Sequence, residues 1–349
     1  MLTFFIFLSS GLFLGWSLGA NDAANVFGTA VGTKMVRFRT AAIIASIFVI
    51  LGAVLAGGGG SKTLNELGNV NALAGAFMVV LAAALTIYWM TKYEISVSTS
   101  QAIVGAVIGW NLYSGNSTDL GILSTVVSTW VICPILAGII AVILFHLAKF
   151  FIKTTGISLI RQDYLLRIGL ILAGAFGAYA LGANNIANVM GVFVSSNKLS
   201  PLHLPLGIVL DSTQVLFLLG GLAISVGIIT YSQKIMLTVG KDILSMSPLA
   251  AWVVVVSQSL VLFLFASPTL YNFLLSQNLP TIPLVPVSSS QAVIGAVMGL
   301  GLMKGGRGIK WSIIGRFGVG WIITPLSAAL VCFISLFFLE NVFNLTVYK

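Results

Sequence analysis

Charge is scarce in this chain. Of its 349 residues 7% are charged and 58% are hydrophobic, and the mean hydropathy is +1.08. A water-soluble domain is about a quarter charged, so the composition excludes an ordinary soluble fold. It describes an integral membrane protein whose spans leave almost nothing for a soluble domain. Histidine is scarcer still. His146 and His203 are the only two, which excludes a histidine-built metal centre. The two cysteines, Cys133 and Cys332, stand singly inside apolar runs. They have no metal-ligand spacing and carry no information about redox compartment. No serine, cysteine or threonine is paired in sequence with a base in the manner of a nucleophilic enzyme, so no enzyme is expected.

Lysine and arginine number 17 against 8 acidic residues, a net charge of +9. They lie singly or in small groups between apolar runs, without the aromatic-interleaved basic patch of a nucleic-acid binder. The run Gly57–Lys62 has the outline of a phosphate-binding loop, but Ser61 stands where that motif needs glycine before its lysine. No other nucleotide motif is present, so no cofactor is expected and an ion gradient is the expected energy source. The N-terminus has no basic region before its apolar stretch and is read as a first span rather than a cleaved signal peptide.

A span needs about 20 mostly apolar residues. Candidates lie near 3–33, 40–57, 72–91, 97–112, 121–147, 164–196, 204–230, 248–267, 287–302 and 312–339. The fourth and ninth are short. Lysine and arginine favour the cytoplasmic side. With the N-terminus outside and ten crossings, fourteen of the 17 basic residues fall inside, and only Lys62, Lys198 and Lys349 fall outside. Both termini are then outside the cell membrane. Five crossings per half send the second half through the membrane upside down. The expectation is an all-α polytopic protein built from two inverted five-span repeats, 1–152 and 164–349, joined by a basic cytoplasmic linker, 153–163.

Repetition in the sequence supports that division. Gly19-Ala20-Asn21-Asp22-Ala23-Ala24-Asn25-Val26-Phe27-Gly28 returns as Gly182-Ala183-Asn184-Asn185-Ile186-Ala187-Asn188-Val189-Met190-Gly191. Val97-Ser98-Thr99-Ser100-Gln101 returns as Val287-Ser288-Ser289-Ser290-Gln291, each followed by a Gly- and Ala-rich run. Trp130 with Pro134 is echoed by Trp321 with Pro325. Polar residues are costly inside a membrane and are usually kept for function. Duplicated, interrupted apolar segments are the best sequence pointer to a transporter's binding site.

The two Ser-rich phrases open short helices. Free N–H groups and a partial positive charge at a helix N-terminus suit an anion without any lysine. Inverted halves bring two such termini to one central site from opposite faces. Ser98, Thr99, Ser100, Gln101, Ser288, Ser289, Ser290 and Gln291 are therefore the candidate ligands of a tetrahedral oxyanion. Hydroxyls in membrane helices also bond their own backbone, but the near-identical duplicate favours a site. Gly105, Gly109, Gly295 and Gly299 would let these helices pack closely.

The first and sixth spans are too long, and each is expected to break at its Gly-Ala-Asn phrase. Freed carbonyls there, with Asn21, Asp22, Asn25, Asn184, Asn185 and Asn188, could coordinate a sodium ion. Alternatively Asp22 carries a proton, or the asparagines only patch the broken backbone. Asp211, about two turns into its span, is a third acid candidate: a coupling residue, a partner for Lys198, or interfacial. Glu94, on the turn before Ser98, is a gate or a solvated charge.

The two Gly-Ala-Asn phrases and the two Val-Ser-x-Ser-Gln phrases resemble the inorganic phosphate transporter (PiT) family, over nearly the whole chain. The resemblance implies an inverted-repeat fold, commonly a homodimer, that imports phosphate with sodium or protons. It implies the eight Ser, Thr and Gln residues as anion ligands. Asp22, Asn25, Asn185 and Asn188 would serve the coupling cation and the anion's surroundings. The family usually has aspartate where Asn185 stands, which implies fewer coupled cations or a proton in place of one. Ser96 also replaces a usual proline, whereas Pro286 keeps it. The chain lacks the long cytoplasmic loop of many members, and some compact relatives move sulfate. A sulfate permease of the same fold is therefore the alternative, with an anion channel further off. A protonated phosphate offers a hydrogen to a carboxylate such as Asp22, which sulfate cannot do.

Overall fold

The computed structural model describes residues 2–92, 97–242, 246–303, 305–306 and 309–349. Glu94, Ser96, Lys304 and Arg307 lie outside the described residues. The first half holds α1 (Leu2–Gly32), α2 (Phe38–Ala56), α3 (Gly58–Leu67), α4 (Leu73–Lys92), α5 (Thr99–Ser114) and α6 (Leu120–Thr155). The second holds α7 (Leu159–Met190), α8 (Ser212–Asp242), α9 (Pro248–Leu264), α10 (Pro268–Ser276), α11 (Ser289–Met303) and α12 (Trp311–Asn341). A 3-10 turn, Gly191–Ser196, follows α7. A small antiparallel hairpin, Leu202–His203 with Val209–Leu210, leads into α8.

Each of the ten expected segments corresponds to a helix. Among the described residues seven helices are long and apolar enough to cross a bilayer, or eight spans if α9 and α10, bent by 64° at their junction, count as one. The short α5 and α11 have 16 and 15 residues. At 1.5 Å per residue they reach about 24 and 22 Å, less than the ~30 Å hydrocarbon core. The basic linker expected over 153–163 is mostly helical, because α6 runs on to Thr155 and α7 begins at Leu159.

Local chemistry explains where helices start and stop. Ser98 accepts from Gln101 N, Ser247 from Ala250 N and Ser267 from Leu270 N, and prolines 248 and 268 stand at first-turn positions. Asp119 accepts from Gly121 N and Ile122 N at the start of α6. Gly115 and Gly156 close α5 and α6 in the left-handed region, at φ 74° and 60°.

The expected breaks at the Gly-Ala-Asn phrases do not occur. Both α1 and α7 run unbroken through them. The small residues serve close approach instead. A Cβ on Gly19 would overlap the Ile224 carbonyl of α8, and one on Gly182 would overlap the Val49 carbonyl of α2. The reciprocal glycines obey the same rule, Gly227 against Trp16 and Gly52 against Tyr179. Gly105 and Gly109 of α5 lie on the Pro325 and Ala329 carbonyls of α12, while Gly295 and Gly299 of α11 lie on those of Pro134 and Gly138 in α6.

Every contact in that series has a counterpart with the halves exchanged. Helix α1 packs on α8 and α7 on α2; α5 packs on α12 and α11 on α6. The equivalent helices α1 and α7 run in opposite directions. Residues 26 and 27 of α1 lie beside Gly177 and Gly174, while Gly11 and Gly15 lie beside Val189. Arg167, near the start of α7, donates to the Met35 carbonyl beyond the end of α1 at 3.1 Å. At the other end the Lys349 backbone exchanges two hydrogen bonds with the Asn71 side chain, just before α4.

Candidate functional site

The site lies where α5 and α11 begin. The first helical bond of α5 runs from Ala102 N to the Ser98 carbonyl, and that of α11 from Ala292 N to Ser288. The amides of residues 99 and 100, and of 289 and 290, therefore have no acceptor within their helices. Ser98 and Ser288 cap the next amides, accepting from Gln101 N and Gln291 N, both at 3.3 Å.

The two termini are tied to each other. Ser100 Oγ donates to the Val287 carbonyl at 3.2 Å, and Ser290 Oγ donates to the Val97 carbonyl at 3.4 Å. These bonds are equivalent under exchange of the halves. Ser288 and Ser290 hydroxyls also meet at 2.9 Å, and the Cys133 thiol lies 3.8 Å from the Ser288 carbonyl.

The Gly-Ala-Asn phrases close around this junction. Thr99 Oγ1 donates to Asp22 Oδ2 at 2.8 Å. Asn25 Nδ2 donates to Ser289 Oγ at 3.1 Å, and Asn188 Nδ2 to Ser100 Oγ at 2.9 Å. Thus α1 reaches both short helices, through Asp22 and Asn25. Asn188 also donates to Asn185 Oδ1 at 2.9 Å. Asn184 brackets the approach to α11, donating to the Val285 carbonyl and accepting from Val287 N at 2.8 Å. Asp22 is 5% exposed and Asn188 fully buried. Among the described residues Asp22 is the one buried carboxylate, surrounded by neutral donors.

Buried polar atoms without partners concentrate here. The side chains of Gln101, Gln291, Asn185 and Asn188 each keep one such atom. Buried polar groups are nearly always paired, so this concentration marks a place built to bind something polar. Among the described residues no group of three His, Cys, Asp or Glu side chains could hold a tightly bound metal.

Three sequence expectations change in the structure. Asn21 is only half-buried, and its amide turns back to the Ser17 carbonyl of its own helix at 3.1 Å. It does not join the cluster that its counterpart Asn184 joins. Asp211 is not two turns inside a span. It is exposed and precedes α8, accepting from Thr213 N and Gln214 N at 2.8 Å, while Gln214 Oε1 accepts from Asp211 N at 3.0 Å. That reciprocal pair is a capping box, and it was readable in Asp211-Ser212-Thr213-Gln214. The carbonyls expected to be freed by helix breaks remain inside continuous helices.

Gln258 of α9 was missed. It is fully buried, donates to the Asn25 carbonyl at 2.8 Å and keeps an unpartnered amide oxygen. Ser257-Gln258-Ser259 interrupts an apolar run, a signal of the same kind as the Ser-rich phrases but without a duplicate.

The chain is similar to proteins from distant organisms along nearly its whole length. A Methanocaldococcus jannaschii protein that carries the name phosphate permease is 26% identical, with 92% of this chain and 93% of that one aligned. Proteins of the same name from Pyrococcus abyssi and Haemophilus influenzae are each 24% identical, covering 92% and 96% of this chain and 94% and 96% of theirs. The fold matches a solved structure described as the sodium-dependent phosphate transporter. Its TM-score is 0.76 at 23% identity, covering 97% of this chain and 99% of that one. Residues 18–332, which contain both pairs of repeated phrases, match the profile described as the phosphate transporter family, and this multi-pass membrane protein belongs to that family.

Proposed function

We propose that the chain is a secondary symporter that imports inorganic phosphate, coupled to sodium or protons. The observation that carries this reading is the junction of two helix N-termini with a single buried carboxylate beside it. The unpaired first-turn amides and the hydroxyls of Ser98, Thr99, Ser100, Ser288, Ser289 and Ser290 are neutral donors that suit a tetrahedral oxyanion. The amides of Gln101 and Gln291 stand in the next positions. Asp22 takes the hydrogen of a protonated phosphate or the charge of a coupling cation. The amide oxygens of Asn25, Asn185 and Asn188 add neutral ligands for sodium, a hard cation that prefers oxygen. The family and the names of the relatives support phosphate as the substrate. The name of the structural neighbour supports sodium as the cation. The proton reading rests on Asp22 as the only buried acid among the described residues.

The exchanged contacts and the opposed directions of α1 and α7 support two inverted repeats moving around this junction. Such a device alternates access by shifting one set of helices against the other. The glycine contacts between α5 and α12, and between α11 and α6, make each pair a close-packed unit.

Uptake of radiolabelled phosphate into proteoliposomes, with imposed sodium or proton gradients, tests the proposal. Accumulation above equilibrium that stops when one gradient is collapsed, and that excess sulfate does not block, is expected. Equilibration without accumulation would make the protein a channel. Strong competition by sulfate would make it a sulfate permease.

A further inference from the structure

Helices α4 and α9 hold the same place in the two halves and differ in one short stretch. Half-buried Phe77, Leu81 and Leu85 of α4 match half-buried Trp252, Val256 and Leu260 of α9, with buried residues between them. Phe77 packs on Phe7 of α1, and Trp252 lies against Gly169 of α7. In that register the buried run Ala82-Ala83-Ala84 stands where Ser257-Gln258-Ser259 stands. Ser257 and Ser259 bond back to the Val253 and Val255 carbonyls of their own helix. Gln258 crosses to α1, where its amide nitrogen donates to the Asn25 carbonyl. A second difference lies on α1 itself. Thr29 follows Asn25 by one turn, and the residue that follows Asn188 at the same spacing is Val192.

A carbonyl can only accept, so the Gln258 amide must turn its nitrogen to Asn25 and its oxygen away. That oxygen is buried and has no partner. Thr29 shares the face of Asn25 and leans back over the turn between them. Its hydroxyl oxygen is also buried without a partner. Two oxygens therefore stand unpaired about one carbonyl, although buried polar groups are nearly always paired. The link between α9 and α1 uses the Gln258 nitrogen and needs neither oxygen. Asp22 lies three residues before Asn25, about 4.5 Å along the helix axis. Thr99, which donates to it, is neutral, and a buried charge is costly until it is paired. The two oxygens and the carboxylate occur together in one half; in the other, Ala83, Val192 and Asn185 stand in their places. A trapped water would satisfy the oxygens but has no reason to follow the carboxylate.

We propose that Gln258 Oε1, Thr29 Oγ1 and Asn25 Oδ1 form a station for one sodium ion, one turn along α1 from Asp22, a site that deepens the transport reading and rests on its sodium form. Sodium is a hard cation that prefers oxygen, and the three ligands are oxygens of neutral groups. Asp22 supplies the charge at short range without leaving Thr99. The Asn25 amide nitrogen is held on Ser289, so one side chain joins the cation to the start of α11. The other half has no equivalent station, because Val192 and Ala83 offer no side-chain oxygen.

The test titrates the purified full chain with sodium chloride against choline chloride at constant ionic strength, reading thermal stabilisation. The same titration is repeated on phosphate uptake in proteoliposomes. Thr29→Val and Gln258→Leu each remove one oxygen with little change of shape. Each should raise the half-saturating sodium concentration about tenfold in both readouts. The half-saturating phosphate concentration at saturating sodium should stay within about twofold of the parent's. Gln258→Glu returns an oxygen to the place and should recover the sodium affinity that Gln258→Leu loses. Unchanged sodium dependence in both removal variants would overturn the station, leaving Gln258 as a pin between α9 and α1 and its oxygen to a trapped water. Equal losses for sodium and phosphate would also overturn it, by assigning both residues to the junction as a whole. A parent that sodium neither stabilises nor drives would overturn it as well. Sodium stabilisation of the parent that both removal variants weaken, without any phosphate uptake, would support the station and break the transport reading instead.

Discussion

Asp22 and Asn185 occupy the same place in the two repeated phrases and behave differently. Asp22 reaches across to α5, the short helix of its own half, and accepts from Thr99, whereas Asn185 accepts from Asn188, three residues along its own helix. Their neighbours diverge as well. Asn184 pins the backbone before α11, while Asn21 bonds only its own helix. The helix packing, by contrast, is matched glycine for glycine. Packing is governed by shape, which both halves must share to fit each other. The junction carries one carboxylate, Asp22, and a neutral amide, Asn185, at the equivalent place. The structure thus joins a symmetric frame to an asymmetric site.

The largest effects should come from breaking the frame, and they should be equal in the two halves. Gly19→Val and Gly182→Val each drive a side chain into a carbonyl of a neighbouring helix. Overpacking costs about 1–3 kcal/mol where neighbours can yield, and a backbone carbonyl yields little. Both variants should fail to reach the membrane in folded form, measured by yield and thermal stability in detergent. A large difference between the two would show that the frame is less symmetric than its contacts.

Next come substitutions at the asymmetric pair, where the halves should part. Asp22→Asn should lower gradient-driven accumulation by about a hundredfold, the upper end for a bond to a charged group, with thermal stability retained. Asn185→Ala removes a neutral bond internal to α7 and should cost less than about tenfold. Asn185→Asp should change the number of cations moved per phosphate, read from reversal potentials in proteoliposomes. Identical coupling in that variant and its parent would show that the missing second carboxylate is silent.

The junction itself should again respond symmetrically. Ser100→Ala and Ser290→Ala each remove a hydroxyl from a terminus and should raise the half-saturation concentration for phosphate about tenfold. Unchanged half-saturation in both would remove the two-terminus site. Smallest of all, Asp211→Ala should lower stability by about 1 kcal/mol through loss of the α8 cap, with no change in cation dependence. A changed dependence would return Asp211 to the transport path.

Much of this was legible in the sequence because duplication speaks twice. The structure gathers the Ser-rich and Gly-Ala-Asn phrases at one junction, the spaced glycines lie at close helix contacts, and each of the ten segments contains a helix. The misreadings share a cause. Glycine beside asparagine suggests a broken helix, yet here the glycines answer to a neighbouring helix that a single sequence does not display. Asp211 was read by its surroundings of apolar residues rather than by its capping pattern with Gln214. Gln258 has no echo in the first half, so repetition could not flag it. Its role becomes visible only when α9 packs on α1 and brings it to the Asn25 carbonyl.

The most direct test of a single-charge junction is phosphate accumulation by the parent and by Asp22→Asn, side by side in proteoliposomes under an inward sodium gradient and then under a proton gradient. The account predicts that the parent concentrates phosphate under one of them, and that the variant concentrates none while remaining folded. Undiminished accumulation by the variant would contradict it.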